Sequence, residues 1–230
     1  MTDLSRYFDW AATSPHDSVI LEESLRISLK NWGNPSSVHQ EGKNARSVFE
    51  EARKNCAVIL GVKPENIYFT SGGTESDQIA LLQVLSKPSK GKILISSIEH
   101  PAVREQALML KKCGWEIETL KADELGIIKP ETVSESLTDD THLVCIMAVN
   151  NETGVIQPIH EIADLLIEKS KGKRKPKFHV DCVQAAGKIP VNINHPGIDS
   201  AAFSAHKICG PRGIGILYMK DYSESFLKGG

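Results

Sequence analysis

The sequence has no cysteine pair spaced as CxxC, no long apolar run and no surplus of either charge. Its five cysteines (Cys56, Cys113, Cys145, Cys182 and Cys209) are odd in number and widely scattered. That pattern argues against a disulfide or zinc framework, predicts no metal site and points to a reducing cytoplasm. Lys and Arg number 27 against 29 Asp and Glu, for a net charge of −2, so nothing suggests a nucleic-acid or membrane-surface partner. No apolar run approaches the roughly 20 residues of a membrane span. The opening, Met1-Thr-Asp-Leu-Ser-Arg6, lacks the basic and apolar regions of a signal peptide. Internal repeats and low-complexity linkers are also missing. The one basic cluster, Lys169-Ser-Lys-Gly-Lys-Arg-Lys-Pro-Lys177, lies between a helical and a strand pattern and reads as a solvated loop.

What is present is enough for one large domain: 230 residues, 40% of them hydrophobic. Helical periodicity over 46–60 sets Val48, Phe49, Ala52, Cys56 and Ile59 on one face, which makes Cys56 a core residue. Gly61 ends that helix, and Asn66-Ile-Tyr-Phe-Thr70 is a short strand. Then come a helix over 74–85, a strand over 92–97, a helix opened by Pro101 and reaching about 112, and a strand ending near 119. A helical segment starts at Pro130. Residues 141–149 form a nearly continuous apolar strand, buried on both faces, in which Cys145 is structural. Pro158 starts a helix to 168, Phe178-His-Val-Asp181 is a strand, and apolar runs cover 198–203 and 216–219. Strand–helix alternation of this kind predicts an α/β fold, a mostly parallel central sheet flanked by helices, with ligands at the strand exits.

Chemistry-bearing residues cluster at those exits. Phe203-Ser-Ala-His-Lys-Ile-Cys-Gly-Pro-Arg-Gly-Ile-Gly215 sets Lys207 between a strand and a glycine-rich turn, beside Ser204 and His206. A lysine so placed suits Schiff-base chemistry, although a loop lysine is usually just solvated. Thr70-Ser-Gly-Gly-Thr-Glu-Ser76 brings Gly73 and Thr74 to a helix start, which makes either a phosphate cradle or an ordinary capped helix. It is not a P-loop, because no Gly-Lys-Ser/Thr follows. His100 opens the next helix, where it could stack on a planar cofactor and move protons or simply cap the helix. Asp181 closes an apolar strand, where a carboxylate needs a partner: a protonated ring nitrogen, an arginine or a helix end. Asn151 and Gln184 could bond a ring hydroxyl or loop backbone.

Gly72-Gly-Thr-Glu-Ser76, Glu99-His-Pro101, Asn150-Asn-Glu-Thr-Gly154, His179-Val-Asp-Cys-Val-Gln184 and Ser204-Ala-His-Lys207 occur in the order found in class V aminotransferase-like enzymes. The chain resembles in particular a group I cysteine desulfurase, which is a fold-type I pyridoxal phosphate enzyme. Phe8-Asp-Trp-Ala-Ala-Thr13 and Gly33-Asn-Pro-Ser-Ser-Val-His39 resemble that branch's amino-terminal signatures. The resemblance implies pyridoxal 5'-phosphate bonded to Lys207, His100 stacked on its ring and assisting proton transfers, and Asp181 on the ring nitrogen. It further implies Gln184 and Asn151 near the ring oxygen, with Thr74, the Gly73 backbone, Ser204 and His206 on the phosphate. L-cysteine would be the substrate and alanine the product, the sulfur passing to an enzyme persulfide for iron–sulfur cluster assembly or tRNA thiolation. A sulfur-accepting protein and a homodimer are implied as partners. An aminotransferase, a selenocysteine lyase and a non-catalytic cofactor-binding fragment remain as alternative readings.

Departures from the family pattern are Gly73 in place of the usual alanine, Ser76-Asp-Gln78 in place of two asparagines, and the cysteines at 182 and 209. The family also continues well past Gly230 with the nucleophilic cysteine loop, the arginine that grips the substrate carboxylate, most of the small domain and a threonine lent to the neighbouring subunit's phosphate site. The expected organisation is therefore an arm over 1–16 that would join the small domain, an incomplete large domain over 17–230, and no carboxy-terminal small domain. Such a fragment is expected to be inactive alone. Packing roles are expected for Cys182 and Cys209, which flank Asp181 and Lys207.

Overall fold

The computed structural model describes residues 5–221. The first four residues of the expected amino-terminal arm and residues 222–230 of the expected large domain lie outside them. Seven short segments, most of them carrying Ile, Val or Thr, form the strands of one sheet: β1 (Ile67–Thr70), β2 (Lys92–Ser96), β3 (Glu116–Leu120), β4 (Thr141–Cys145), β5 (Lys177–Asp181), β6 (Ser200–Ser204) and β7 (Gly215–Met219). Their order is β1-β7-β6-β5-β4-β2-β3. Only β7 runs against its neighbours, and the β2–β3, β2–β4, β4–β5 and β5–β6 pairs are parallel. The expected mostly parallel α/β sheet is present.

Alternation along the strands sends side chains to two helical layers. Ile93 and Ile95 of β2 pack with α3 (Gly73–Leu82) and α4 (Pro101–Lys112), alongside Leu81, Val103, Ala107 and Leu110. Leu94, between them, joins Val144, Phe178 and Val180 against α5 (Pro130–Ser136) and α6 (Ile159–Lys169), whose contributions include Val133, Ile162 and Leu166. Burial on both faces explains why β4 reads as an unbroken apolar run. Cys145 is fully buried, as expected. The strand itself is shorter than its run, because beyond Cys145 the backbone turns to other partners: the Met147 N–H donates to Glu99 and the Ala148 N–H to the Asp181 carbonyl.

Two helices depart from the sequence reading. Helix α1 (Ser18–Lys30) was not foreseen. Its start is fixed by Asp17, whose carboxylate accepts from the Val19 and Ile20 N–H groups, and it buries no residue. Helix α2 (Gln40–Leu60) begins six residues before the expected 46, because the His39 imidazole accepts from the Gly42 N–H and caps it there. The face expected to be core is mostly open: Phe49 is 39% exposed and Ile59 83%, and Cys56 is only half-buried. The packed stripe of α2 is narrower, running through Gly42, Ala45 and Ala57. Cys56 is therefore not a core residue. Periodicity identified the apolar face, but the described residues cover it only in part: the Phe49 ring packs on Phe69 and under Arg53, while Ile59 stays open.

Candidate active site

Strands β1, β2, β4, β5 and β6 all point the same way, so the segments that follow them meet at one sheet edge, where open α/β sheets bind ligands. There they enclose a cavity of about 630 Å³. All nine residues singled out in the sequence line it: Gly73, Thr74, His100, Asn151, Asp181, Gln184, Ser204, His206 and Lys207. Asp9, Ala11, Ala12, Asp77, Met147, Glu152 and Val183 complete the wall.

Thr70 ends β1, and the chain enters α3 at Gly73 without any side-chain hydrogen bond to the first N–H groups of the helix. These donors and the positive end of the helix dipole face a rim that carries Thr74, Ser204 and His206. Gly73 is required by close packing: a Cβ there would sit 2.5 Å from Val183 Cγ2 in the loop after β5. The family's alanine therefore cannot enter unless Val183 moves. Glu75 reaches back to the Ser71 N–H, which holds its carboxyl below the usual range and fixes the turn before the helix.

His100 caps the next helix, one of the two parts the sequence left open, and also lines the cavity. Its Nδ1 accepts from the Ala102 N–H at 3.1 Å and caps α4, while the ring lines the cavity. Accepting at Nδ1 leaves the proton on Nε2. Partial burial, followed by the nearby charges of Lys207 and Arg104, lowers its pKa and keeps the ring neutral. Of the adjacent asparagines, Asn150 is the structural one. Its Oδ1 accepts from the Glu152 and Thr153 N–H groups and its Nδ2 donates to the Ile98 carbonyl, tying the exits of β2 and β4 together. Asn151 is left on the cavity wall.

At the end of β5, Asp181 is 5% exposed, and its Oδ1 accepts from the Val183 N–H at 2.8 Å. Burial first, then the Asp77 carboxylate, pushes its pKa up to about 8. Asp77 is a neighbour the sequence reading passed over as a mere departure from pattern. It is buried on α3 beside His179, whose Nε2 lies 3.0 Å from Asp77 Oδ1 and whose Nδ1 lies 2.8 Å from Ser200 Oγ. Glu99 forms a third buried acid: Oε1 accepts from Ser96 Oγ and the Met147 N–H. Among the described residues, Glu99 Oε2 is the one buried side-chain oxygen or nitrogen without a partner. Burial raises the pKa of Glu99 well above normal, so it is held protonated.

Lys207 sits in the single helical turn Ala205–Lys207 after β6, and its Nζ donates to the Ala11 and Ala12 carbonyls at 2.6 and 2.7 Å. Gln184 Nε2 donates to the same Ala11 carbonyl at 2.7 Å. Burial, then the charge of Lys188, lowers the pKa of Lys207, while Asp181 and Asp9 pull it back up. The amino-terminal segment is stitched to this loop. The Ser14 N–H and Oγ both donate to the His206 carbonyl, the Cys209 N–H donates to Ser14 Oγ, and His206 Nδ1 lies 3.1 Å from Thr13 Oγ1. Spacing in the sequence gave no sign of this contact across some 190 positions. Cys182 is fully buried with its thiol pKa pushed up, and Cys209 is half-buried at φ 63°. Neither lines the cavity.

The cavity suits pyridoxal 5'-phosphate. It offers an uncapped helix start with hydroxyl and imidazole groups for a phosphate, a buried carboxyl for a protonated ring nitrogen, and an amine of lowered pKa. Known proteins agree. The cysteine desulfurase IscS of Dictyoglomus turgidum is 41% identical over 216 residues, which are 93% of this chain and 54% of the relative. The NifS/IcsS protein homolog of Lactobacillus delbrueckii subsp. bulgaricus is 44% identical over 93% of this chain and 55% of its own. Among solved structures, a NifS-like protein superposes with a TM-score of 0.90 at 38% identity, covering 97% of this chain and 61% of its own. A structure described as SspA in complex with cysteine also gives 0.90, at 33% identity, covering 98% and 65%. The chain thus spans about half the length of the curated relatives it matches. Class V aminotransferases and cysteine desulfurases depend on pyridoxal phosphate, which the cavity fits. The aminotransferase class-V model matches residues 6–230, and the chain belongs to that family.

Proposed function

We propose that the chain is the cofactor-binding part of a cysteine desulfurase, which converts L-cysteine to L-alanine and passes the sulfur to a thiol. The observation that supports this best is the convergence of all nine motif residues, from Gly73 to Lys207, on one cavity that also holds a buried carboxyl. Lys207 would hold pyridoxal phosphate covalently, Asp181 its ring nitrogen, Gln184 and Asn151 its ring oxygen, and Thr74, the Gly73 N–H, Ser204 and His206 its phosphate. When bound, the cofactor supplies an electron sink for the α-carbon of an amino acid. Proton movement would fall to this chain's own groups: the Lys207 amine as base and the His100 Nε2–H as a proton donor across the cavity. The sheet edge and the segment from Asp9 to Ala12 restrict water on one side.

None of the five cysteines lines the cavity, so the sulfur-accepting thiol and the cation for the substrate carboxylate are assigned to sequence outside this chain. A homodimer, a sulfur-accepting protein partner, service to iron–sulfur or thiolation pathways, a cytoplasmic location and the division into an arm over 1–16 and a large domain from 17 belong to the same proposal. The test is alanine release from L-cysteine with a thiol reductant. The chain alone should show none above free cofactor, and the chain joined to the carboxy-terminal part of a full-length relative, such as that of Dictyoglomus turgidum, should show turnover. Turnover by the chain alone, abolished by Cys182→Ser or Cys209→Ser, would place the nucleophile here and refute the assignment. Transamination in place of alanine and sulfide would refute the desulfurase reading.

A further inference from the structure

We propose that Lys188 is a positioning residue of the cavity, setting the orientation of Gln184 and keeping the Lys207 amine available in its uncharged form. This rests on the reading above, in which Lys207 bonds the cofactor. Consecutive turns follow β5. The Ala185 and Ala186 N–H groups donate to the Cys182 carbonyl, and the Lys188 and Ile189 N–H groups donate to that of Ala185. Gly187, at φ 67°, carries the backbone through a left-handed residue just before Lys188. The result brings Lys188 back over Gln184, four residues earlier, and its Nζ donates to Gln184 Oε1 at 2.7 Å.

An ammonium can only donate, so this contact decides which end of the amide is which. Oε1 is taken by Lys188, and Nε2 must face the cavity wall, where it donates to the Ala11 carbonyl. Lys207 Nζ donates to that same carbonyl at 2.6 Å. Two donors sharing one oxygen bring Gln184 and Lys207 side by side, with the Lys188 charge directly behind Gln184.

The groups facing Lys207 divide by sign. Asp181 and Asp9 favour the ammonium, Lys188 opposes it, and His100 and His206 are driven toward neutrality by burial and by Lys207 itself. Lys188, whose own pKa is lowered by partial burial, is therefore the positive charge among them. Its role is to oppose Asp9, and Asp181 once that carboxyl ionises near pH 8, both of which favour the ammonium form of Lys207. Only the uncharged amine attacks an aldehyde: its lone pair forms the C–N bond, and its two protons leave with the carbonyl oxygen as water. Lys188 itself is exposed, and its side chain's hydrogen bond is the one to Gln184.

Competitive acetylation of the full chain with acetic anhydride, read at the Lys207 peptide between pH 7 and 11, measures the amine directly and without cofactor. Lys188→Met should move the Lys207 midpoint upward and Lys188→Arg should leave it in place. Each pH unit of that rise lowers the uncharged fraction at neutral pH about tenfold. The rate of borohydride-trapped adduct formation with pyridoxal phosphate at pH 7.5 should fall by the same factor. An unmoved midpoint in Lys188→Met, or a rise in Lys188→Arg as large as in Lys188→Met, overturns the proposal. Lys188→Gln, also neutral, repeats the comparison if the methionine variant does not fold. Failure of the wild-type chain to form an adduct at Lys207 would refute the function assigned to Lys207, whereas the acetylation midpoints would still decide the role of Lys188.

Discussion

Asp181 makes the cofactor-free protein pay for its site, and the size of that penalty follows from its surroundings. Its carboxyl would ionise at 3.8 in water but keeps its proton to about pH 8 in the fold, chiefly through burial and then through Asp77. The folded state therefore holds a proton that the unfolded chain gives up. Stability from this group is intact below pH 3.8 and is lost steadily as pH rises toward 8. The distance from 3.8 to 7, at about 1.4 kcal/mol per pH unit, gives a penalty of about 4 kcal/mol at neutral pH. Asp181→Asn removes the titration and keeps an oxygen for the Val183 N–H. The cofactor-free variant should be more stable than wild type at pH 7 by up to about that amount, a rise in Tm on the order of ten degrees. At pH 4 the two should melt together. Added pyridoxal phosphate should reverse the order at pH 7, because only wild type can pair an ionised carboxylate with the ring nitrogen. Thermal melts of both proteins at pH 4, 5.5, 7 and 8, with and without cofactor, provide the comparison. A variant less stable than wild type at pH 7, or a stability gap independent of pH, would refute the reasoning.

Asp77→Asn keeps an oxygen for His179 but removes the like charge beside Asp181, so the Asp181 carboxyl should titrate lower; infrared difference spectra of its C=O stretch measure this. Gly73→Ala should cost about 1–3 kcal/mol through its clash with Val183, and Gly73→Ala/Val183→Ala should recover most of it in urea melts. His100→Ala loses the cap on α4 as well as the ring, and should cost about 1 kcal/mol of stability in addition to slower proton transfer. His100→Asn, which can still cap, should retain the stability and lose only the chemistry.

The parallel sheet was legible because β4 lies in a nearly continuous apolar run and because Pro101 and Pro130 mark helix starts. Strand exits are where this architecture places ligands, so motifs falling there identified nine of the sixteen wall residues. What escaped depends on long-range contact. The Ala11 and Ala12 carbonyls that hold Lys207 carry no side-chain signature, and no local pattern links them to a residue nearly 200 positions away. Asp77 sits mid-helix, where an acid ordinarily faces water; its burial beside Asp181 appears only once β5 is laid against α3. Periodicity finds an apolar face but not how fully it is covered, which is why Ile59 was expected inside and lies open while Cys56 is only half-buried.

The central claim is that Lys207 is the residue that bonds pyridoxal phosphate. The most direct measurement is to load the chain with the cofactor, reduce with borohydride, digest, and locate the phosphopyridoxyl group by mass spectrometry. The account predicts a single modified residue, Lys207, and no modification in Lys207→Ala. Stoichiometric label on any other lysine, or label retained in Lys207→Ala, would contradict it.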